Sequence, residues 1–211
     1  MWPITLIFAT ILPGQAPRDD GFTPVFDGKT LRGWRVIGGK ADAWAVEKGM
    51  LVSLDKGGGW LGTEKPYDDF ELRLEFRLSP GSNSGIYLRA PGDASHISRT
   101  GMEIQLLDET HPTHAKIQDW QRTGAIYHVA APKPGHNKAI GEWNTLAIRA
   151  EGPLVTIRLN GTEVVSDRLD KHPTLDAEHP GLKRAGGLIG LQSHNGRVEF
   201  RELVLKPIPS R

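Results

Sequence analysis

DFELRLEFR, residues 69–77, is the most regular stretch of this sequence, because apolar and charged side chains alternate through it without a break. A period of two is typical of a β-strand with one buried and one exposed face. The strict alternation therefore predicts a long, half-buried strand whose outer face is a solvated ladder of opposite charges. The apolar set is Phe70, Leu72, Leu74 and Phe76, and the charged set is Glu71, Arg73, Glu75 and Arg77.

A second alternating stretch, GMEIQLLD at 101–108, differs in what its polar face carries. Met102, Ile104 and Leu106 share one face, whereas Glu103 and Gln105 lie on the other. A carboxylate and an amide in register suggest a polar groove, and a solvated outer face is the competing interpretation. The stretch alone does not decide between them.

Further short strands are predicted along the chain, separated by turns at Lys48-Gly49, Asn160-Gly161 and Asn195-Gly196. No stretch of a dozen residues keeps a helical apolar period. The sequence therefore predicts an all-β protein. The remaining strands are predicted at 44–52, 86–89, 124–130, 143–149, 154–159, 187–194 and 198–205.

Length and composition limit the function classes. The 211 residues suit one domain, and 26 basic against 25 acidic residues give a formal net charge of +1 without a basic stripe. Nucleic acid is therefore not an expected partner. The absence of cysteine excludes disulfides, thiolate catalysis and thiolate metal sites.

The first residues resemble an export signal. The apolar run ITLIFATIL at 4–12 is too short to span a bilayer, and the small residues Gly14 and Ala16 follow it. We interpret residues 1–16 as a signal peptide and residues 22–207 as the domain. Two features count against cleavage: no Lys or Arg precedes the run, and Pro17 follows the expected cleavage site. An uncleaved anchor or a mis-assigned start remains an alternative.

Several polar side chains are candidates for a site on the face of Glu103 and Gln105. Tyr87 and Arg89 share one face of the 86–89 strand. Gln192 and His194 flank Gly190, which would let a ligand approach the backbone. The list is completed by Trp120, in the long polar loop 109–123, which could stack on a sugar ring.

The same loop contains His111 and His114, a spacing that metal sites use. The proline between them disfavours a helix that would aim both rings the same way, so a solvated loop is the preferred interpretation.

A series of motifs resembles, in order, the 3-keto-disaccharide hydrolase domain family and covers nearly all of the chain after the leader. The most specific pieces are Asn83-Ser-Gly-Ile86, Glu103-Ile-Gln-Leu-Leu-Asp108 and Gly190-Leu-Gln-Ser-His194. The resemblance implies a concanavalin-like fold, which is a jelly-roll β-sandwich of two antiparallel sheets. It also implies export from a bacterial cell and activity as a 3-keto-glucoside lyase or 3-keto-glucal hydratase.

The laminarinase-type glucanases that share this fold carry three carboxylates at alternate positions of one strand. Here those positions read Glu103, Gln105 and Leu107, so one acid remains. A double-displacement glycosidase needs two carboxyl groups. A ketone at C3 acidifies the C2 hydrogen, so that one base suffices for elimination of the glycosidic oxygen.

From this resemblance we predict cleavage of 3-keto-glycosides by elimination and hydration. Glu103 would be the general base or acid, and we expect it to be ionised among donors such as Arg89 and Gln105. Arg89 and Gln105 would bind the keto or hydroxyl oxygens. Gln192 with His194 would position or protonate the leaving group.

No organic cofactor is implied, because a separate sugar 3-dehydrogenase would supply the ketone, and a divalent metal is left undecided. Two alternatives remain: a non-catalytic carbohydrate-binding module on the same fold, and an accessory domain that binds another protein.

Overall fold

The computed structural model describes residues 20–93, 95–175 and 177–209. The predicted signal peptide at 1–16 lies outside these residues.

Thirteen strands and one short α-helix make up the regular structure of the described residues. The strands are β1 (Thr23–Pro24), β2 (Trp34–Ile37), β3 (Trp44–Glu47), β4 (Met50–Leu54), β5 (Trp60–Thr63), β6 (Phe70–Leu78), β7 (Asn83–Ala90), β8 (Met102–Leu107), β9 (Asn144–Glu151), β10 (Leu154–Leu159), β11 (Thr162–Arg168), β12 (Leu188–Gln192) and β13 (Arg197–Pro207). The α-helix, α1, is Ile97–Thr100, and the 3-10 turns are Ala41–Ala43, Pro112–His114, Asp119–Gln121, Leu169–Lys171, Pro173–Leu175 and Pro180–Lys183.

The strands form two antiparallel sheets. The larger sheet has the order β11-β10-β9-β6-β13-β4-β3, with β1 paired to β13, and the smaller has the order β2-β5-β12-β7-β8. The predicted all-β sandwich is confirmed. Within the described residues, no helix is long and apolar enough to cross a membrane.

The core lies between the sheets and follows from the two alternating stretches. Phe70, Leu72, Leu74 and Phe76 of β6 meet Ile86 and Leu88 of β7 and Met102, Ile104 and Leu106 of β8 in one buried cluster. Each such side chain contributes about 1.5–3 kcal/mol by leaving water. Because this cluster holds one face of β8 in the core, it fixes the opposite face outward.

The outer face of β6 carries the predicted charge ladder. Glu71 pairs with Arg73 at 2.8 Å, and Glu75 pairs with Arg201 of β13 at 2.6 Å. These pairs are partly solvated, so each contributes little to stability.

Several strands differ from the prediction, β7 and β11 among them. Strand β7 begins at Asn83, three residues before the predicted strand at 86–89, because Asn83 to Leu88 pair with β8. Strand β11 follows the Asn160-Gly161 turn and pairs with β10, although its sequence, TEVVSDR, alternates weakly.

Candidate active site

The site is built on the face of the smaller sheet that points away from the core, which we call the site face. Cross-strand pairing aligns Gly62 of β5 with Gly190 of β12, Gly190 with Tyr87 of β7, and Tyr87 with Glu103 of β8. Pairs of directly opposite residues lie on the same face of a sheet. The site face therefore presents a continuous row with Glu103 near its outer end.

Glu103 is buried on this face. Its exposed fraction is 4%, and Gln105, two residues on, is 2% exposed. The interpretation of this face as a solvated surface is therefore wrong at Glu103 and Gln105, and the polar groove stays a prediction. Within the five strands of the smaller sheet, Glu103 is the single acidic residue.

Burial sets the protonation of Glu103. Loss of water raises the pKa of its carboxyl group to about 8, and a hydrogen bond from the Gln192 side chain opposes that shift. An isolated buried carboxyl favours its neutral form. The expectation that Glu103 is ionised therefore does not hold at neutral pH.

Arg89 is absent from the site face because β7 contains a bulge. The pairing with β12 shifts between Leu188–Ala90 and Gly190–Tyr87, and Arg89 has a φ of +50° there. A bulge adds one residue on one strand and redirects its side chain. The predicted common face of Tyr87 and Arg89 is thus corrected.

Arg89 instead holds the ends of the two sheets together. Its guanidinium is 2% exposed and donates to Asp69 Oδ1 at 3.1 Å, to the Gly152 carbonyl at 2.7 Å and to the Arg184 carbonyl at 3.1 Å. Burial lowers the pKa of Arg89, and Asp69 opposes that effect. These residues line a cavity of about 950 Å³ at that end of the sandwich.

Gln192 and Tyr87 lie beside Glu103, as the sequence suggested. The Gln192 amide donates to Tyr87 Oη at 2.7 Å. Burial is the largest cause that raises the pKa of Tyr87, followed by the charge of Glu103. Gln105 Nε2 lies 3.4 Å from Asn83 Oδ1, whereas the side-chain Oε1 atoms of Gln105 and Gln192 are buried without a partner among the described residues. These two oxygens can accept hydrogen bonds from hydroxyl groups.

Trp60 occupies the space that Gly190 was predicted to leave for a ligand. Its ring lies against Gly62 and Gly190, where a Cβ would collide with it, and it contacts the Tyr87 ring edge-on at 5.7 Å. Ile97 of α1 packs into the same small apolar cluster. This end of the site face is therefore closed. The two glycines in register were the sequence signal for a bulky ring here.

His194 lies beyond the end of β12 and is exposed. Its Nδ1 hydrogen-bonds with Asn195 Oδ1 at 2.7 Å. No hydrogen bond within the described residues connects it to Glu103.

The segment 124–127 extends the sheet beyond β8. It lies on the side of Glu103 opposite Tyr87. Gly124 N donates to the Gln105 carbonyl at 2.9 Å, and Tyr127 N donates to the Glu103 carbonyl at 2.9 Å. Tyr127 therefore continues the row that contains Glu103. The predicted strand at 124–130 is corrected, because only isolated bridges form at Ile126 and Ala130. Tyr127 was not among the residues that the sequence suggested for the site.

Trp120 and His128 both pack against Tyr127 of this segment. The Trp120 ring contacts Tyr127 edge-on at 5.0 Å and stacks on His128 at 3.9 Å. His128 lies 5.5 Å from the ring of His179, which is buried. The loop 109–123 thus supplies an aromatic wall to the site, with one face of Trp120 covered by an imidazole.

His111 and His114 do not form a metal pair. Their rings are 6.0 Å apart and tilted, and their Nδ1 atoms hydrogen-bond with Thr113 Oγ1 and the Asp108 carbonyl. Across residues 20–93, 95–175 and 177–209, no group of three or more His, Asp or Glu side chains could hold a metal ion.

Fold and site together define a two-sheet β-sandwich with one buried carboxyl group and an aromatic border, an arrangement suited to a carbohydrate ring. Residues 21–206 match the model of the 3-keto-alpha-glucoside-1,2-lyase-like domain. The chain belongs to this family, in agreement with the motifs of the sequence.

Known relatives extend the comparison. The chain is 28% identical to a 3-keto-disaccharide hydrolase of Bacteroides thetaiotaomicron, over 91% of this chain and 80% of the relative. A solved structure of a candidate glycosyl hydrolase from Parabacteroides distasonis aligns with a TM-score of 0.80 and 25% identity, over 90% and 94% of the two chains. A Bacillus subtilis carbohydrate-binding module shares the fold, with a TM-score of 0.56 and 14% identity, over 82% and 95%.

Proposed function

We propose that this protein is a 3-keto-disaccharide hydrolase that cleaves the glycosidic bond by elimination followed by hydration. Membership of the family and the named relative support the substrate class. The observation that carries the mechanism is the single acidic residue, Glu103, in the five strands of the smaller sheet. A two-carboxylate glycosidase mechanism lacks its second group on this sheet.

A ketone at C3 makes a different route accessible. It acidifies the C2 hydrogen, so that removal of this proton and departure of the oxygen on C1 produce an enone. The route needs one acid for the departing oxygen and one base for the C2 hydrogen. Glu103 holds a proton at neutral pH because its pKa is raised to about 8. We assign it the role of general acid toward the glycosidic oxygen.

The neighbouring amides would hold the sugar. The unpartnered side-chain Oε1 atoms of Gln105 and Gln192 accept hydrogen bonds from ring hydroxyls. Trp120 and Tyr127 would border the leaving sugar. Water then adds to the enone at C1, and the two steps together amount to hydrolysis.

The alternative of a binding module without chemistry is less favoured. A lectin-type site needs no acid with a raised pKa, whereas a buried carboxyl group that titrates near neutral pH is characteristic of catalytic acids and bases. In cells, a separate sugar dehydrogenase would supply the ketone. The leader-like run at residues 4–12 supports a place outside the cytoplasm.

The test is a comparison of two substrates. A 3-keto-disaccharide and its unoxidised parent are incubated with the protein in the absence of any nicotinamide, and released monosaccharide is measured. We expect release from the 3-keto form alone. Comparable release from the parent would indicate a conventional glycosidase, and binding of the 3-keto form without release would indicate a binding module.

A further inference from the structure

We propose that His128 is the general base of this protein and takes the C2 hydrogen of the 3-keto ring, an assignment that rests on the proposed function. No earlier candidate fills this role. The bulge in β7 directs Arg89 toward Asp69 and away from the site face, and His194 is exposed beyond the end of β12.

The backbone places His128 at the border of the site. Its neighbour Tyr127 is paired with Glu103 through the hydrogen bond from Tyr127 N to the Glu103 carbonyl. Mutual hydrogen bonds between Ile126 and Ala130 then close a tight loop with His128 at its tip. His128 has a φ of +64°, a conformation that few residues other than glycine adopt. The loop therefore holds the His128 side chain next to Tyr127, the last residue of the row that contains Glu103.

The ring of His128 is held by packing alone. It stacks on Trp120 at 3.9 Å and meets Tyr127 edge-on at 4.6 Å. Neither ring nitrogen hydrogen-bonds to any of the described residues. Five other histidines do use a ring nitrogen in a hydrogen bond: His111, His114, His172, His179 and His194. A half-buried imidazole with oriented, unused nitrogens is available to accept a proton from a ligand.

The charges around His128 favour its neutral form. Burial is the main cause that lowers its pKa below the ordinary value, and the nearby His179 and Arg99 lower it further. Glu178 opposes them. The pKa of Glu103 is raised, whereas that of His128 is lowered. At neutral pH the site therefore contains a protonated acid and a neutral base. Two groups whose pKa values are pushed apart in this way suit an acid and base pair.

His128 and Glu103 together account for every proton that moves in the reaction. His128 takes the C2 proton, the C2–H electrons form the C1=C2 bond, and the C1–O electrons leave with the glycosidic oxygen, which takes the Glu103 proton. The Glu103 carboxylate then removes a proton from water as its oxygen bonds to C1. The imidazolium of His128 exchanges its proton with solvent and then delivers a solvent proton to C2. Both residues recover their starting states, and one water is consumed.

The test uses His128→Asn, because asparagine tolerates a positive φ and does not titrate. Three quantities are measured: cleavage of a 3-keto-disaccharide, cleavage of a 3-keto-4-nitrophenyl glucoside, and exchange of the C2 hydrogen in deuterated water. We expect His128→Asn to lose all three by on the order of a hundredfold. Glu103→Gln should lose disaccharide cleavage, retain C2 exchange, and be less impaired on the nitrophenyl substrate, whose leaving group needs no acid.

His136→Asn is the matched control. His136 also lacks a ring hydrogen bond to the described residues, but it lies near the β10–β11 turn, where its carbonyl accepts from Asn160. It should behave as wild type. His128→Asn with near-normal cleavage would overturn the assignment, as would loss of disaccharide cleavage with intact C2 exchange. Wild-type protein inactive on both 3-keto substrates would instead overturn the proposed function, and the assignment with it.

Discussion

Gly85 lies directly beneath the carboxyl group of Glu103. A Cβ on Gly85 would be 2.5 Å from Oε1 and 2.8 Å from Cγ of Glu103. These distances are shorter than van der Waals contact, so any larger residue at position 85 must displace the carboxyl group. The glycine in the Asn83-Ser-Gly-Ile86 motif thus has a physical role in seating the proposed general acid.

Gly85→Ala tests this arrangement. The carboxyl end of Glu103 is flexible and should move aside, so the protein should fold while kcat falls by about tenfold or more, because acid catalysis depends on position. Steady-state kinetics and thermal unfolding measure the two effects. In the Glu103→Gln background, Gly85→Ala should cause little additional loss. Full additivity would contradict the proposed link between the two residues.

The pH dependence of kcat/KM should be bell-shaped. The rate should fall above about pH 8, where Glu103 loses its proton. It should also fall on the acid side, below the ordinary titration range of histidine, because the pKa of His128 is lowered. Glu103→Gln should remove the alkaline limb from its residual activity, and His128→Asn the acid limb. A rate that rises through pH 8 to a plateau would show that Glu103 acts as a base.

Glu103 should also make stability depend on pH. Its pKa rises from 4.5 in the unfolded chain to about 8 in the fold, so the folded state binds the proton more tightly. The associated stability is present below pH 4.5 and is lost as the pH rises through 8. Relative to Glu103→Gln, wild type should lose on the order of 5 kcal/mol between those limits.

Urea unfolding at several pH values measures this difference. Glu75→Gln is the matched control, because Glu75 lies in the outer ladder with Arg201 and should follow the wild-type profile. Parallel profiles for wild type and Glu103→Gln would show that Glu103 is not buried as described.

Arg89→Lys separates a structural from a substrate-binding role. A lysine cannot reproduce the contacts with Asp69 and with the carbonyls of Gly152 and Arg184, so we expect a loss of about 2–4 kcal/mol in the free energy of unfolding. The KM of the folded variant should be nearly unchanged. A large increase in KM at unchanged stability would indicate that Arg89 binds the substrate.

The sequence predicts the parts of the fold that depend on local alternation. β6 and β8 are predicted because their side chains alternate, whereas the burial of the polar face of β8 was one of two interpretations that the sequence left open. Family motifs supplied the sandwich and the substrate class.

Features that depend on pairing between distant strands were not predictable in the same way. The bulge that removes Arg89 from the site face results from the register between β7 and β12. His128 enters the site because the segment 124–127 pairs with the edge of β8, a long-range contact without a local signal. The pKa of Glu103 depends on burial, which composition does not reveal.

The most direct test of the account is deuterium incorporation at C2 of the released 3-keto-monosaccharide, when the protein cleaves a 3-keto-disaccharide in deuterated water. Free product incubated with protein under the same conditions corrects for exchange after release. Elimination followed by hydration predicts one deuterium at C2 in each turnover, beyond that correction. Cleavage that leaves the C2 hydrogen in place would contradict the elimination mechanism.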